Sequence, residues 1–209
     1  MTSLRTESDT SGNDLASLRP DIASEWDYEN NLKKPYEYTV FSNKKVSWKC
    51  KNGHTYKKVI YERTRTDGKA TGCPYCANKK VLPGYNDLET WCKTHGREDL
   101  LRDWDYDENT KSPSEYLPHT DKIANWICRN GHRYSMKISE KTKENPYGCP
   151  ICSNKKLLVG YNDLKTLFPE VASEWDYENN DSNPEDHIAG THKKAYWIVK
   201  NAGILTSRK

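Results

Sequence analysis

Trp48-Lys49-Cys50-Lys51-Asn52-Gly53-His54 and, eighteen residues further on, Cys73-Pro74-Tyr75-Cys76 set the architecture of the first half of the chain. Three residues separate Cys50 from His54, and Asn52-Gly53 within them suits a tight reversal with positive φ at the glycine. Cys73 and Cys76 form a C-x2-C pair in which Pro74 fixes φ just after the first thiol. Each turn presents two ligands, and together they supply the three thiolates and one imidazole of a closed tetrahedral zinc site. The pattern recurs downstream as Trp126, Cys128, Gly131 and His132, then Gly148, Cys149, Pro150 and Cys152, with sixteen residues between His132 and Cys149. One copy would be weak evidence. Two copies favour structural zinc, two ions per chain, over inert buried cysteines or a disulfide framework.

Outward from these turns the chain repeats a third time, in part. Asn-Asp-Leu begins at Asn13, Asn86 and Asn162, and Trp-Asp-Tyr at Trp26, Trp104 and Trp175. From each of those tryptophans a proline lies nine residues on (Pro35, Pro113, Pro184) and a second tryptophan twenty-two on (Trp48, Trp126, Trp197). Residues 1–12 read as a disordered tail, 13–85 as one zinc module, 86–161 as a second, and 162–209 as a truncated third. In that third unit Val199 replaces the first cysteine and no C-P-x-C follows, so it cannot hold zinc alone. Codon degeneracy lets a shifted frame read Gly-His there, so a frameshift that cut short a longer array is the expectation.

Within each unit the order is helical, extended, then metal-bound. Asn-Asp-Leu supplies an N-cap for a short helix, and Pro20 and Pro169 suit the first position of a second helix. Strands Val46–Cys50 and Thr55–Tyr61, and in the second unit Ala124–Cys128 and Arg133–Ile138, make hairpins with ligands at their tips. Surface loops then lead to Cys73 and Cys149, and the residues after Cys76 and Cys152 fit either a helical turn or a strand. The fold class is small α+β, zinc-stabilised modules in tandem: a treble-clef or zinc-ribbon-like hairpin plus short helices per repeat. Trp26, Trp104 and Trp175 read as core anchors rather than base-stacking platforms, and Trp48 and Trp126 as structural too. His119, His187 and His192 read as loop residues at no repeated position, and Cys92 and His95 as a C-x2-H spacing in an inserted segment with no second ligand pair to complete a metal site.

Composition agrees with small metal-dependent units. Only 34% of the 209 residues are hydrophobic, with 2 Phe against 7 Trp and 14 Tyr, which is little for one continuous core. An odd 7 cysteines, six of them in ligand pairs, fits a reducing compartment. With no apolar run near the roughly 20 residues of a membrane span and no signal-peptide core, the expectation is a cytoplasmic protein with no membrane and no small-molecule substrate.

Net charge is +3, but it is segregated. Residues 42–82 hold 11 Lys/Arg and 2 Asp/Glu, and residues 119–158 hold 8 and 3. Lys57, Lys58, Arg63, Arg65, Lys79 and Lys80 in the first unit, and Arg129, Arg133, Lys137, Lys155 and Lys156 in the second, are the candidates for phosphate contact with DNA or RNA. Tyr56 and Tyr75 are candidates to stack on bases. A merely solvated basic face is the alternative.

The combined motif W-x-C-x2-G-H … G-C-P-x-C, followed by G-Y-N-D-L and a helix ending in E-W, resembles tandem treble-clef-type zinc-ribbon modules. The resemblance covers Asn13–Lys209 and implies zinc ligands at Cys50, His54, Cys73, Cys76, Cys128, His132, Cys149 and Cys152. It implies nucleic-acid association because some similar proteins join such modules to endonuclease-like domains, none of which is evident here. A full set of four ligands leaves no open position for catalysis, so the expectation is a non-enzyme. The alternatives are a protein-binding adaptor through the acidic helices, or an accessory part of a larger nuclease or defence-type assembly.

Overall fold

A computed structural model describes residues 12–198 together with the short strand at 207–208. It divides into two compact units, one ending at Trp91 and taking in Ser114–Leu117, the other made of Cys92–Pro113 and the chain from Pro118 onward. The first holds one ligand hairpin; the second holds the other hairpin and the repeat that begins at Asn162. The expected tail, apart from Gly12, lies outside the described residues, as do Val199 and residues 200–206 of the frameshift reading.

Each repeat opens with a capped turn of helix. Asp14 accepts the Ser17 amide at 2.9 Å and caps α1 (Leu15–Leu18). Pro20 then starts α2 (Pro20–Ala23) at its first position, where a missing N–H costs nothing. In later repeats the aspartates again cap: Asp87 receives the Thr90 amide at 2.9 Å at α4 (Leu88–Thr94), and Asp163 that of Thr166 at 2.8 Å at α7 (Leu164–Leu167). Helix α5 (Glu98–Arg102) and the Pro-led α8 (Pro169–Ala172) complete the pairs. Helices of one or two turns do not stand alone in water. These are held by burial of Leu15, Ile22 and Trp26 in the first unit and of Leu100 and Trp104 in the second.

The hairpins are β1 (Lys45–Lys49) with β2 (Thr55–Val59), and β3 (Ile123–Ile127) with β4 (Arg133–Lys137), both antiparallel. Trp48 faces Tyr56 across the first pair and Trp126 faces Tyr134 across the second. The Trp-Asp-Tyr segment lies along the outer edge of each hairpin: the Lys49 amide donates to Glu25 at 2.7 Å and that of Ile127 to Asp103 at 2.7 Å. Asn31 continues the edge by both accepting from and donating to the Ser47 backbone, at 2.9 and 2.7 Å; Asn109 does the same to Asn125. The two tryptophans of each repeat meet edge to face, Trp26 on Trp48 at 5.4 Å and Trp104 on Trp126 at 5.2 Å. All four are core residues, enclosed and unable to serve as base-stacking platforms. The third repeat builds the same pair, Trp175 on Trp197 at 5.1 Å, on the two-residue strands β5 (Trp197–Ile198) and β6 (Ser207–Arg208).

Three expectations are corrected. The second strands end at Val59 and Lys137, where helices α3 (Ile60–Thr64) and α6 (Ile138–Thr142) take over the start of the supposed loops. The cause is burial: Ile60 and Ile138 are fully enclosed, and Thr64 and Thr142 bond back to the carbonyls of Ile60 and Ile138. The segments after Cys76 and Cys152 are turns, neither helix nor strand, with Asn78 and Asn154 at φ 49° and 53°. His187 is no stray loop residue: it stands where Tyr38 stands in the first repeat, 5.1 Å from the Trp175 ring, and its carbonyl accepts the Leu164 amide at 2.9 Å as that of Tyr38 accepts Leu15 at 2.7 Å. Among the described residues no helix is long and apolar enough to cross a membrane.

Candidate metal centres

The tip of the β1–β2 hairpin is a tight turn. The Gly53 amide donates to the Cys50 carbonyl at 2.8 Å, the Cys50 amide donates to the His54 carbonyl at 3.1 Å, and Gly53 takes φ 81°. The second turn is closed by Ala77 donating to Cys73 at 3.1 Å and by Lys79 and Lys80 both donating to the Pro74 carbonyl, at 2.8 and 3.2 Å. The second unit repeats both turns, from Cys128 to His132 and from Cys149 to Lys156.

These turns bring Cys50, His54, Cys73 and Cys76 together, and likewise Cys128, His132, Cys149 and Cys152, with all ligand atoms of a group within 4.8 Å of one another. In the first group the His54 Nδ1 lies 3.6, 3.7 and 3.3 Å from the sulfurs of Cys50, Cys73 and Cys76, and the Cys50 and Cys76 sulfurs are 3.7 Å apart. In the second the corresponding distances are 3.5, 3.8, 3.1 and 3.7 Å. Bond lengths of about 2.3 Å to sulfur and about 2.0 Å to nitrogen at tetrahedral angles require edges of about 3.8 Å between sulfurs and about 3.5 Å from sulfur to nitrogen. Most of these separations lie near those edges, and the histidine contacts to Cys76 and Cys152, at 3.3 and 3.1 Å, are shorter. Three soft thiolates with one imidazole suit zinc rather than a hard, oxygen-seeking cation. Each site fits one zinc ion, two per chain.

A family described as "Probable Treble clef zinc finger domain" matches the chain twice, over residues 22–79 and 100–155, together more than half its length. The chain belongs to this family. A comparison with curated proteins returns no match.

Around each treble-clef zinc site lies a ring of neighbours that the motif did not announce. The Asn52 amide donates to the Cys76 sulfur at 3.3 Å and Asn130 to Cys152 at 3.4 Å. Tyr85 and Tyr161 set their rings 4.1 Å from the ligand histidines, edge to face. Asn86 ties the second turn to the following repeat, donating to the carbonyls of Tyr75 and Lys80 at 2.9 and 3.1 Å and accepting from the Leu82 amide at 2.7 Å; Asn162 repeats the arrangement. The signal was present in the recurrence of N-G-H and G-Y-N-D, but their partners are distant in sequence.

The metal-free thiols are unequal. Burial pushes Cys73 and Cys149 up to about 11. Burial also opposes ionisation of Cys76, but hydrogen bonds from His54 and Asn52 and from its neighbouring thiols prevail and bring it down to about 7. Zinc supplies the charge that lets all three ionise together.

The candidate phosphate-binding cations divide sharply. Arg63 is buried: its guanidinium lies 2.6 Å from Glu25, bonds the Tyr56 hydroxyl and sits 4.6 Å from the Trp48 ring centroid. Lys141 holds the same place in the second unit, 2.9 Å from the Tyr134 hydroxyl and 5.1 Å from the Trp126 ring. Arg63 is therefore a core residue, and so is Tyr56, which is buried and unable to stack on a base. Lys58 pairs with Glu62, Arg65 with Asp67, Lys137 with Asp121, and Arg133 with Asp105, Asp107 and Glu108. Lys57, Lys79, Lys80, Lys155 and Lys156 are exposed and have no carboxylate partner among the described residues; Lys80 and Lys155 rest near the rings of Tyr75 and Tyr147, and Arg129 is exposed. Cys92 is buried and in no disulfide, and with His95 it joins no metal group among the described residues.

Proposed function

We propose that the chain is a non-catalytic array that binds DNA or RNA through phosphate contacts, with weak sequence preference. The observation that supports this reading is the sorting of cations. Arginines and lysines with structural partners are committed within the fold, while Lys57, Lys79, Lys80, Lys155 and Lys156 are exposed near the zinc turns with no carboxylate partner among the described residues. Exposed lysines act as point charges for phosphate, and among the described residues no helix long enough to read a major groove follows the ligand turns. The four protein ligands at each site occupy every tetrahedral position, which argues against a zinc-bound nucleophile. The test is binding of the zinc-loaded chain to labelled oligonucleotides across a salt series: affinity is expected to fall steeply and log-linearly with salt. No binding at about 50 mM salt, where such contacts are strongest, contradicts the proposal.

One observation favours an adaptor as the second reading. Tyr28, Tyr106 and Tyr177 of the three Trp-Asp-Tyr segments are all exposed, at 56%, 61% and 59%, a repeated aromatic display of the kind enriched in protein interfaces.

A further inference from the structure

The two treble-clef units share a fold but not a surface. On the outer face of the first hairpin lies an open groove of about 460 Å³ lined by Lys45, Ser47, Thr55, Lys57, Tyr75 and Lys80, among others, and no carboxylate lines it. Lys45 and Lys57 are exposed on paired strands, on the face opposite the Trp48 side of the core. Lys80 approaches the groove from the second zinc turn, its ammonium 5.7 Å from the Tyr75 ring centroid. None of the three lysines has a carboxylate partner among the described residues.

At the corresponding positions the second unit carries Ile123, Asn125, Arg133, Ser135, Ile151 and Lys156. Two lysines are gone, the aromatic ring has become isoleucine, and Ile123 is 66% exposed. The cation it gains, Arg133, is neutralised by Asp105 at 2.9 Å and Asp107 at 3.2 Å, with Glu108 at 3.7 Å. A phosphate approaching that face meets no unpaired strand cation.

We propose that the first zinc unit, and not the second, carries a groove for single-stranded nucleic acid, with phosphates at Lys45, Lys57 and Lys80 and one base against Tyr75. This rests on the nucleic-acid reading above and narrows it to one face and one strand state. The volume falls within the range of ligand-sized clefts, enough for a nucleotide and far too small for a duplex. A base reaches an aromatic wall only when it is unstacked from its neighbours, which a single strand permits and a duplex resists.

The test uses the full zinc-loaded chain and fluorescence anisotropy with a labelled oligothymidylate of about 20 nucleotides and a duplex of equal length. The single strand is expected to bind more tightly than the duplex. K45E/K57E is expected to weaken it more than K155E/K156E, a pair of reversals with the same charge change, and to make the salt slope shallower by about 1.4. Tyr75→Ile, the residue the second unit carries, is expected to weaken binding at least about fivefold. Retention of two zinc ions in each variant reports that the folds are intact. Equal losses from the two charge reversals, or a duplex preference, overturn the groove while leaving the nucleic-acid reading in place. Failure of the unmutated chain to bind any oligonucleotide overturns both.

Discussion

Arg63 gives a sharp contrast between what basic sequence suggests and what the fold does with it. Its guanidinium is enclosed between Glu25, the Tyr56 hydroxyl and the Trp48 ring, and Arg63→Ala strips all three contacts. Removing one partner of a buried pair costs about 3–5 kcal/mol. Glu25 keeps 27% of its side chain in water and can rehydrate, which places the change near the lower figure, about 3 kcal/mol. Hydrogen–deuterium exchange of β1 and β2 amides, followed by mass spectrometry with zinc in excess, is then expected to speed up roughly 10²-fold in the opening regime. Arg63→Lys should cost far less, because Lys141 already does this work over Trp126 in the other unit. Oligonucleotide affinity of the Arg63→Lys protein should stay at the wild-type level. An Arg63→Ala chain whose hairpin exchanges at the wild-type rate while its oligonucleotide binding drops would refute the assignment, and return Arg63 to the phosphate-binding set.

The ring of polar neighbours predicts that Asn52→Ala and Asn130→Ala each weaken zinc at their own site by about 10–100-fold, read by competition with a chromophoric chelator, without loss of the other ion. Zinc uptake should release protons, because the metal-free Cys73 thiol, at about 11, is protonated at pH 8 while Cys76, at about 7, is mostly ionised. Lowering the pH through 7 protonates Cys76 as well, so the first site's affinity should fall more steeply with acid below pH 7 than above it. Calorimetry in buffers of different ionisation enthalpy measures that proton count; a count that does not rise on acidification contradicts the assignment.

The ligand sets were legible in the sequence because the chemistry needs fixed residue types at short spacings, and a second copy excluded coincidence. The caps at Asp14 and Asp163, the proline starts and the tryptophan anchors were legible for the same reason, since each depends on local geometry that repeats. Helices α3 and α6 were not, because Ile-Tyr-Glu-Arg-Thr and Ile-Ser-Glu-Lys-Thr are short, charged and set in a basic segment. Only their common distance from the first ligand cysteine, ten residues in both units, marked them. Arg63 looked like a surface charge because local composition does not report a carboxylate thirty-eight residues upstream. Tyr85 and Tyr161 escaped for a similar reason: they sit at the end of one repeat's motif, and only folding returns their rings to the ligand histidines.

Each Cys3His group should bind its own zinc ion, which native mass spectrometry of the unmutated and Cys50→Ser chains, purified without chelator, can count. Two zinc ions are expected on the unmutated chain and one on Cys50→Ser, with the remaining ion held by Cys128, His132, Cys149 and Cys152. One ion or none on the unmutated chain would contradict that count, and so would two ions retained after Cys50→Ser.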